Sequence, residues 1–248
     1  MKNKPTKTYI QKLHAQIDDL RHRYHVLNDP EVTDAMYEGL MDELKKIEET
    51  YPEFVTKQSP TQRIGSAPIA GFKKITHQVR QWSFHDAFTE EDVTSWQERN
   101  LKILEKALGK RPDDLSYTTE LKIDGLNMAL TYKKGILDTA ATRGDGKVGE
   151  EVTQNIKTIQ TIPLILKKPV DIVVEGEVWL SAKQLEKINK QREKDGKPLY
   201  ANPRNVAAGT IRQLDSKIVA KRKLSFTASD ISLGDIPLLR NQILFPKI

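Results

Sequence analysis

The sequence predicts an α+β chain, a helical hairpin followed by an antiparallel-sheet domain. Apolar residues first recur at steps of three and four, and later alternate one by one between turn signals. The two regimes are separated by Pro52 to Gly71, which carries Pro60, Gly65, Pro68 and Gly71 and no sustained period. The expected units are therefore 1–71, hairpin plus connector, and 72–248, the sheet domain.

Ile10, Leu13, Ile17, Leu20, Tyr24 and Leu27 form one stripe, placing an amphipathic helix over about Tyr9 to Leu27 that ends at Asn28-Asp29-Pro30. Thr33 can cap a second helix, whose stripe is Tyr37, Leu40, Met41, Leu44 and Ile47, before Tyr51-Pro52 stops it. Beyond the connector, Asp92 to Leu108 reads as a helix, and from Tyr117 the pattern becomes that of strands. Asn127 to Tyr132 and Ile136 to Thr142 flank Lys133-Lys134-Gly135 as a hairpin, and Asp171 to Leu180 is a further strand. Ala182 to Lys194 reads as a charged helix. Asn202-Pro203 joins an N-cap residue to Pro at the first helical position and starts a helix through Leu214.

Composition narrows the chemistry. The 248 residues contain no Cys, which excludes disulfides, a thiol nucleophile and Cys-based zinc or iron–sulfur sites. No apolar run approaches bilayer length, and the start Met-Lys-Asn-Lys-Pro-Thr-Lys leads into no signal-like segment, so a soluble cytoplasmic protein is expected. The net charge is +6, yet residues 167–248 hold 16 basic against 9 acidic side chains, and the rest is close to neutral. A basic sector on a neutral body suits a polyanion such as nucleic acid, and equally suits a lysine-rich solvated surface.

Three stretches could carry chemistry. In Glu120-Leu121-Lys122-Ile123-Asp124-Gly125 a strand would place Glu120, Lys122 and Asp124 on one face and the apolar residues on the other. A lysine amine is a nucleophile only when deprotonated, and two flanking carboxylates favour its charged form, so chemistry there requires the site to change when substrate and metal arrive. Gly144-Asp145-Gly146-Lys147-Val148-Gly149 has dinucleotide-binding spacing with Asp171 downstream, but it follows an antiparallel hairpin where a Rossmann unit needs a parallel crossover. A turn capping a helix at Glu150 is the better reading. Asn202-Pro203-Arg204-Asn205 sets a cation at a helix N-terminus, with Arg212 two turns on, as phosphate contacts would require.

Taken in order, Lys122-Ile123-Asp124-Gly125, Ala141-Thr142-Arg143-Gly144-Asp145-Gly146 with Gly149-Glu150, Glu175-Gly176-Glu177-Val178 and Ala201-Asn202-Pro203-Arg204-Asn205 resemble the NAD-dependent bacterial DNA ligases. Tyr24-His25-Val26-Leu27, Pro30-Glu31-Val32 and Thr33-Asp34-Ala35-Met36-Tyr37 resemble that family's nicotinamide-mononucleotide-binding appendage, and Ser59-Pro60-Thr61-Gln62-Arg63-Ile64-Gly65 its connector. The resemblance runs from about residue 9 to about residue 223. It implies an ATP-grasp-like, covalent-lysine nucleotidyltransferase domain in which Lys122 attacks the α-phosphate of NAD, releases nicotinamide mononucleotide (NMN) and retains AMP, for sealing nicks in double-stranded DNA during replication and repair. Asp124 would help orient Lys122, Glu120 would read adenine, and Ser83, Phe84 and Arg143 would contact the nucleoside. Glu177 would lie by the ribose or a metal-bound water, with Mg²⁺ near Asp124 and Glu177. Tyr24, His25, Asp34, Ala35, Met36, Tyr37 and Glu38 would hold the nicotinamide half, and Arg204 and Arg212 the phosphates of nucleotide or DNA.

The chain also departs from the family's pattern. Glu38 stands where Asp is usual, Arg80-Gln81-Trp82 replaces an apolar approach to Ser83, Asn127 replaces a small apolar residue, and Ser229-Asp230 falls where an adenine-stacking aromatic and Gly are expected. Measured against the resemblance, the domain is expected to be incomplete at its C-terminus and to lack the zinc module. The expectation is a monomeric adenylation module without complete ligation. A non-catalytic DNA-binding remnant of a ligase is the alternative.

Overall fold

The computed structural model describes residues 4–27, 31–63, 69–83 and 85–233. Helix α1 runs Lys7–His22, capped by Thr6, and passes directly into a π-helical turn, Arg23–Leu27. The predicted single helix is thus divided, its last turn widened to the i→i+5 pattern that recurs at functional positions. Helix α2, Asp34–Thr50, starts where Thr33 accepts the amide of Met36. Ile10, Leu13 and Ile17 of α1 pack on Leu44, with Tyr37, Leu40, Met41 and Ile47 around them, so the two apolar stripes close on one another.

The described parts of Met1–Gln81 and Ile123–Ile248 form one compact unit, and Trp82–Lys122 forms another. In the first, β1 (Lys74–Thr76) follows the connector. In the second, α3 (Glu90–Leu108) begins with a reciprocal capping box between Thr89 and Asp92 and ends at Gly109. The first unit continues with β2 (Leu126–Lys133), β3 (Ile136–Thr142), β4 (Val148–Glu150) and α4 (Thr153–Ile156). Then come β5 (Ile172–Trp179), α5 (Ala182–Lys194), α6 (Pro203–Ile211), α7 (Ser216–Arg222) and β6 (Ser225–Leu233).

The main sheet has the order β3-β2-β5-β6, with every neighbour antiparallel, and β1 pairs with β4 beside it. Alternation sorts its faces. Met128, Leu130 and Tyr132 of β2 and Ile172, Val174 and Val178 of β5 enter the core against Ile156, Ile159, Ile162, Val206, Ile211 and Val219. Asn127, Ala129, Thr131, Glu175 and Glu177 therefore occupy the opposite face.

Three expectations need correction. Residues 117–124 form no strand, and Leu121, expected on the apolar face of one, is 87% exposed, because no neighbouring strand supplies a ladder for them among the described residues. Glu150 caps no helix. It ends β4, whose pairing to β1 consumes the backbone groups a helix would need, and Gly144 to Gly149 form the β3–β4 turn and β4 itself. Helix α6 stops at Ile211 and not at Leu214, since Asn155 Nδ2 takes the carbonyls of Ile211 and Gln213 at 2.7 Å each and Asp215 caps α7.

Candidate active site

The sheet unit assembles part of the predicted constellation. Gly125 is pressed onto β5 so closely that a Cβ there would lie 2.2 Å from the Val178 carbonyl oxygen and 3.0 Å from Glu177 Cγ. Only glycine allows this approach, and it brings the backbone after Asp124 beside Glu177. Asp124 Oδ1 forms an ion pair with Arg204 Nη1 at 3.5 Å, both side chains being more than half exposed. Arg204 takes this position because Asn202 caps α6 by accepting the amides of Arg204 and Asn205, with Pro203 at the first turn. At the other end of α6, Arg212 Nε lies 3.2 Å from Glu150 Oε2, so its cation also faces a carboxylate.

Arg143 follows β3 and is half-buried, and its carbonyl, like that of Thr142, lies 3.1 Å from His77 Nε2. Asp145 accepts the amides of Lys147 and Val148, bonds that hold its carboxyl below the usual carboxylate range and fix the turn after Arg143. Glu177 stands opposite Asn127 on the face away from the core, and its neighbour Glu175 accepts from Gln81 Nε2 at 3.1 Å. The Oδ1 of Asn127 and the Oε1 of Gln81 are shielded from solvent and meet no hydrogen-bond donor among the described residues. Sequence reasoning missed His77 and named Gln81 only as a departure from the family's pattern. Nothing in their spacing marks them, because each acts through a distant backbone or side chain.

Glu120, Lys122 and Ser83 belong to the Trp82–Lys122 unit, where all three are exposed. Phe84 lies outside the described residues, and the side chains of His25 and Asp34 lie outside the described ones. In the hairpin, Tyr24 sits on the π-helical turn at 46% exposed, and Ala35, Met36 and Glu38 are exposed on the first turns of α2. Tyr37 is half-buried, and that burial pushes its phenol upward despite Arg21 and Arg63 nearby. Among the described residues, no group of three or more His, Cys, Asp or Glu could hold a metal ion, and no helix is long and apolar enough to cross a membrane.

The sheet unit thus bears carboxylates on the face away from its core and an arginine at each end of α6. Residues 69–240 match the NAD-dependent DNA ligase adenylation domain, and residues 3–65 match the DNA ligase-like, N-terminal NAD+-binding domain. The chain is 46% identical over 217 residues to a DNA ligase of Acholeplasma laidlawii, 48% over 218 to one of Thermoanaerobacter sp., and 44% over 215 to one of Thermotoga maritima. These alignments cover 88%, 88% and 87% of this chain and 32%, 32% and 30% of the relatives, so the chain spans about a third of their length. It belongs to the NAD-dependent DNA ligase family.

Proposed function

We propose that this chain binds NAD and transfers its adenylyl group to Lys122. The single observation carrying the reading is the family match across 69–240, which includes Lys122, Asp124, Arg143 and Glu177 in the predicted order. The Lys122 Nζ lone pair attacks the α-phosphorus, a P–N bond forms, and the P–O bond to NMN breaks. NMN leaves with the electron pair, and the amine loses its proton to solvent. Asp124 orients the amine, Glu120 and Arg143 hold the nucleoside with Ser83 and Phe84, and Glu177 accepts from the ribose. Tyr24, His25, Asp34, Ala35, Met36, Tyr37 and Glu38 hold the departing half. Ser229 and Asp230 on β6 have no ring to stack on adenine, which weakens nucleotide affinity relative to a site that does.

The donor set suits Mg²⁺ at Asp124 and Glu177, because this ion is ordinarily bound by one or two carboxylates with substrate phosphates and water completing its shell. When bound, the ion neutralises charge on the pyrophosphate. Arg204 and Arg212 exchange their carboxylate partners for phosphates of nucleotide or nicked double-stranded DNA, the substrate of a cytoplasmic replication and repair enzyme.

The test is intact-mass measurement after incubation with NAD and Mg²⁺. The expected result is a gain of one AMP that Lys122→Ala abolishes. No gain in the parent, together with salt-sensitive DNA binding, would overturn the reading in favour of a non-catalytic DNA-binding remnant.

A further inference from the structure

The described part of the connector motif includes Arg63, which is 4% exposed. Its acceptors are main-chain carbonyls of one short stretch: Nη1 donates to Lys157 at 3.1 Å, Ile159 at 3.3 Å and Ile162 at 3.2 Å, and Nη2 to Ile162 at 3.2 Å. Burial lowers this guanidinium to about 9, so it is still a cation at neutral pH, balanced by carbonyl dipoles. Arg21, also 4% exposed, donates from Nη1 to the Gln160 carbonyl in the same stretch and from Nε to Asp18 at 3.2 Å.

Both ends of these bonds are firmly held. Residues 157–162 follow α4, and Ile159 and Ile162 are core residues of the sheet domain. On the other side, Glu48 of α2 is 5% exposed and accepts the hydroxyls of Ser59, at 2.6 Å, and Thr61, which ties the connector to the hairpin. Arg21 is in the last turn of α1, immediately before the π-helical turn that carries Tyr24. Tyr37 feels the charges of both arginines. The residues assigned to the nicotinamide half are thus built onto a joint with the adenylyl-transferring domain.

A ligand with two halves held by two modules gains affinity from the second contact only if the modules are fixed at the matching separation. We propose that Arg63 and Arg21 are positioning residues that set the hairpin on the sheet domain, so that the NMN and AMP halves of NAD are held together. The inference rests on the proposed NAD-binding function. Neither arginine need touch NAD.

The test compares the affinities of the full chain for NMN, AMP and NAD by titration, in the parent and in Arg63→Ala, Arg63→Lys and Arg21→Ala. The expected result is that NMN and AMP affinities stay within about twofold, while NAD loses at least tenfold in Arg63→Ala. Lysine keeps the charge without the planar fork and restores part of the loss. A common fall for all three ligands, or an unchanged NAD affinity, overturns the inference. Should Arg63→Ala fail to fold in a thermal melt, Arg21→Ala, which removes a single bond to this stretch, decides by the same criteria. A parent that binds none of the three ligands overturns the proposed function itself, whereas a parent that binds NAD with an unaltered Arg63→Ala overturns only the positioning role.

Discussion

The sheet-bearing unit and the Trp82–Lys122 unit are stabilised differently. The sheet unit buries a core of more than twenty side chains and closes its turns by backbone bonds, whereas α3 of the other unit has good ends, with Thr89 and Gly109 capping it, but buries only Leu101. Val93, Trp96 and Ile103 of α3 are 51%, 43% and 65% exposed. Local signals are enough to make a helix, but burial needs a partner surface. Glu177 is carried by a ladder and Arg143 by a turn of the sheet unit, and Asp124 stands two residues before β2. Lys122 and Glu120, in contrast, lie on a segment with no ladder, so the proposed nucleophile is on the less constrained of the two units.

The contrast can be broken by matched substitutions. The largest loss is expected for Gly144→Ala, where φ is +58° and a Cβ would lie 1.8 Å from the Val148 carbonyl oxygen. Strain and overlap together cost about 3–5 kcal/mol, read by urea unfolding. Leu130→Ala empties a fully buried β2 position and costs about 2–5 kcal/mol in the same assay. If Leu101→Ala costs as much, the contrast is wrong.

Smaller effects sharpen it within the second unit. Thr89→Ala removes one arm of the capping box and costs about 1 kcal/mol, seen as faster amide exchange confined to α3. Acidification should act at the same place. Asp92 accepts the amides of Phe88 and Thr89, which lowers its pKa from 3.8, so its stabilisation is complete above that value and is lost as pH falls through the depressed folded value. The protection of α3 amides, taken relative to their intrinsic exchange at each pH, should therefore fall at low pH in the parent and change much less in Asp92→Asn. Leu121→Gln, at an 87% exposed position, should change stability by less than about 0.5 kcal/mol in a thermal melt.

Elements with a strong period or a cap were legible before any coordinates. The hairpin stripe from Ile10 to Leu20, the Thr33 cap, strands β2, β3 and β5, helix α5 and the Asn202-Pro203 start all lie where local chemistry places them. Segment 117–124 was misread because alternation alone cannot tell a paired strand from an extended segment lacking a partner. The end of α6 was misread because the Asn155 side chain, more than fifty residues away, takes its last carbonyls.

By itself the sequence determined the α+β class, the family and the order of the motif residues, because these depend on local periodicity, capping and residue identity. Only the tertiary structure decided that Arg204 and Arg212 face Asp124 and Glu150, that His77 holds the backbone at Arg143, and that Arg21 and Arg63 grip residues 157–162. Each of those contacts joins residues far apart along the chain. Their energy comes from pairing groups brought together by burial of the shared core, and no local pattern encodes it.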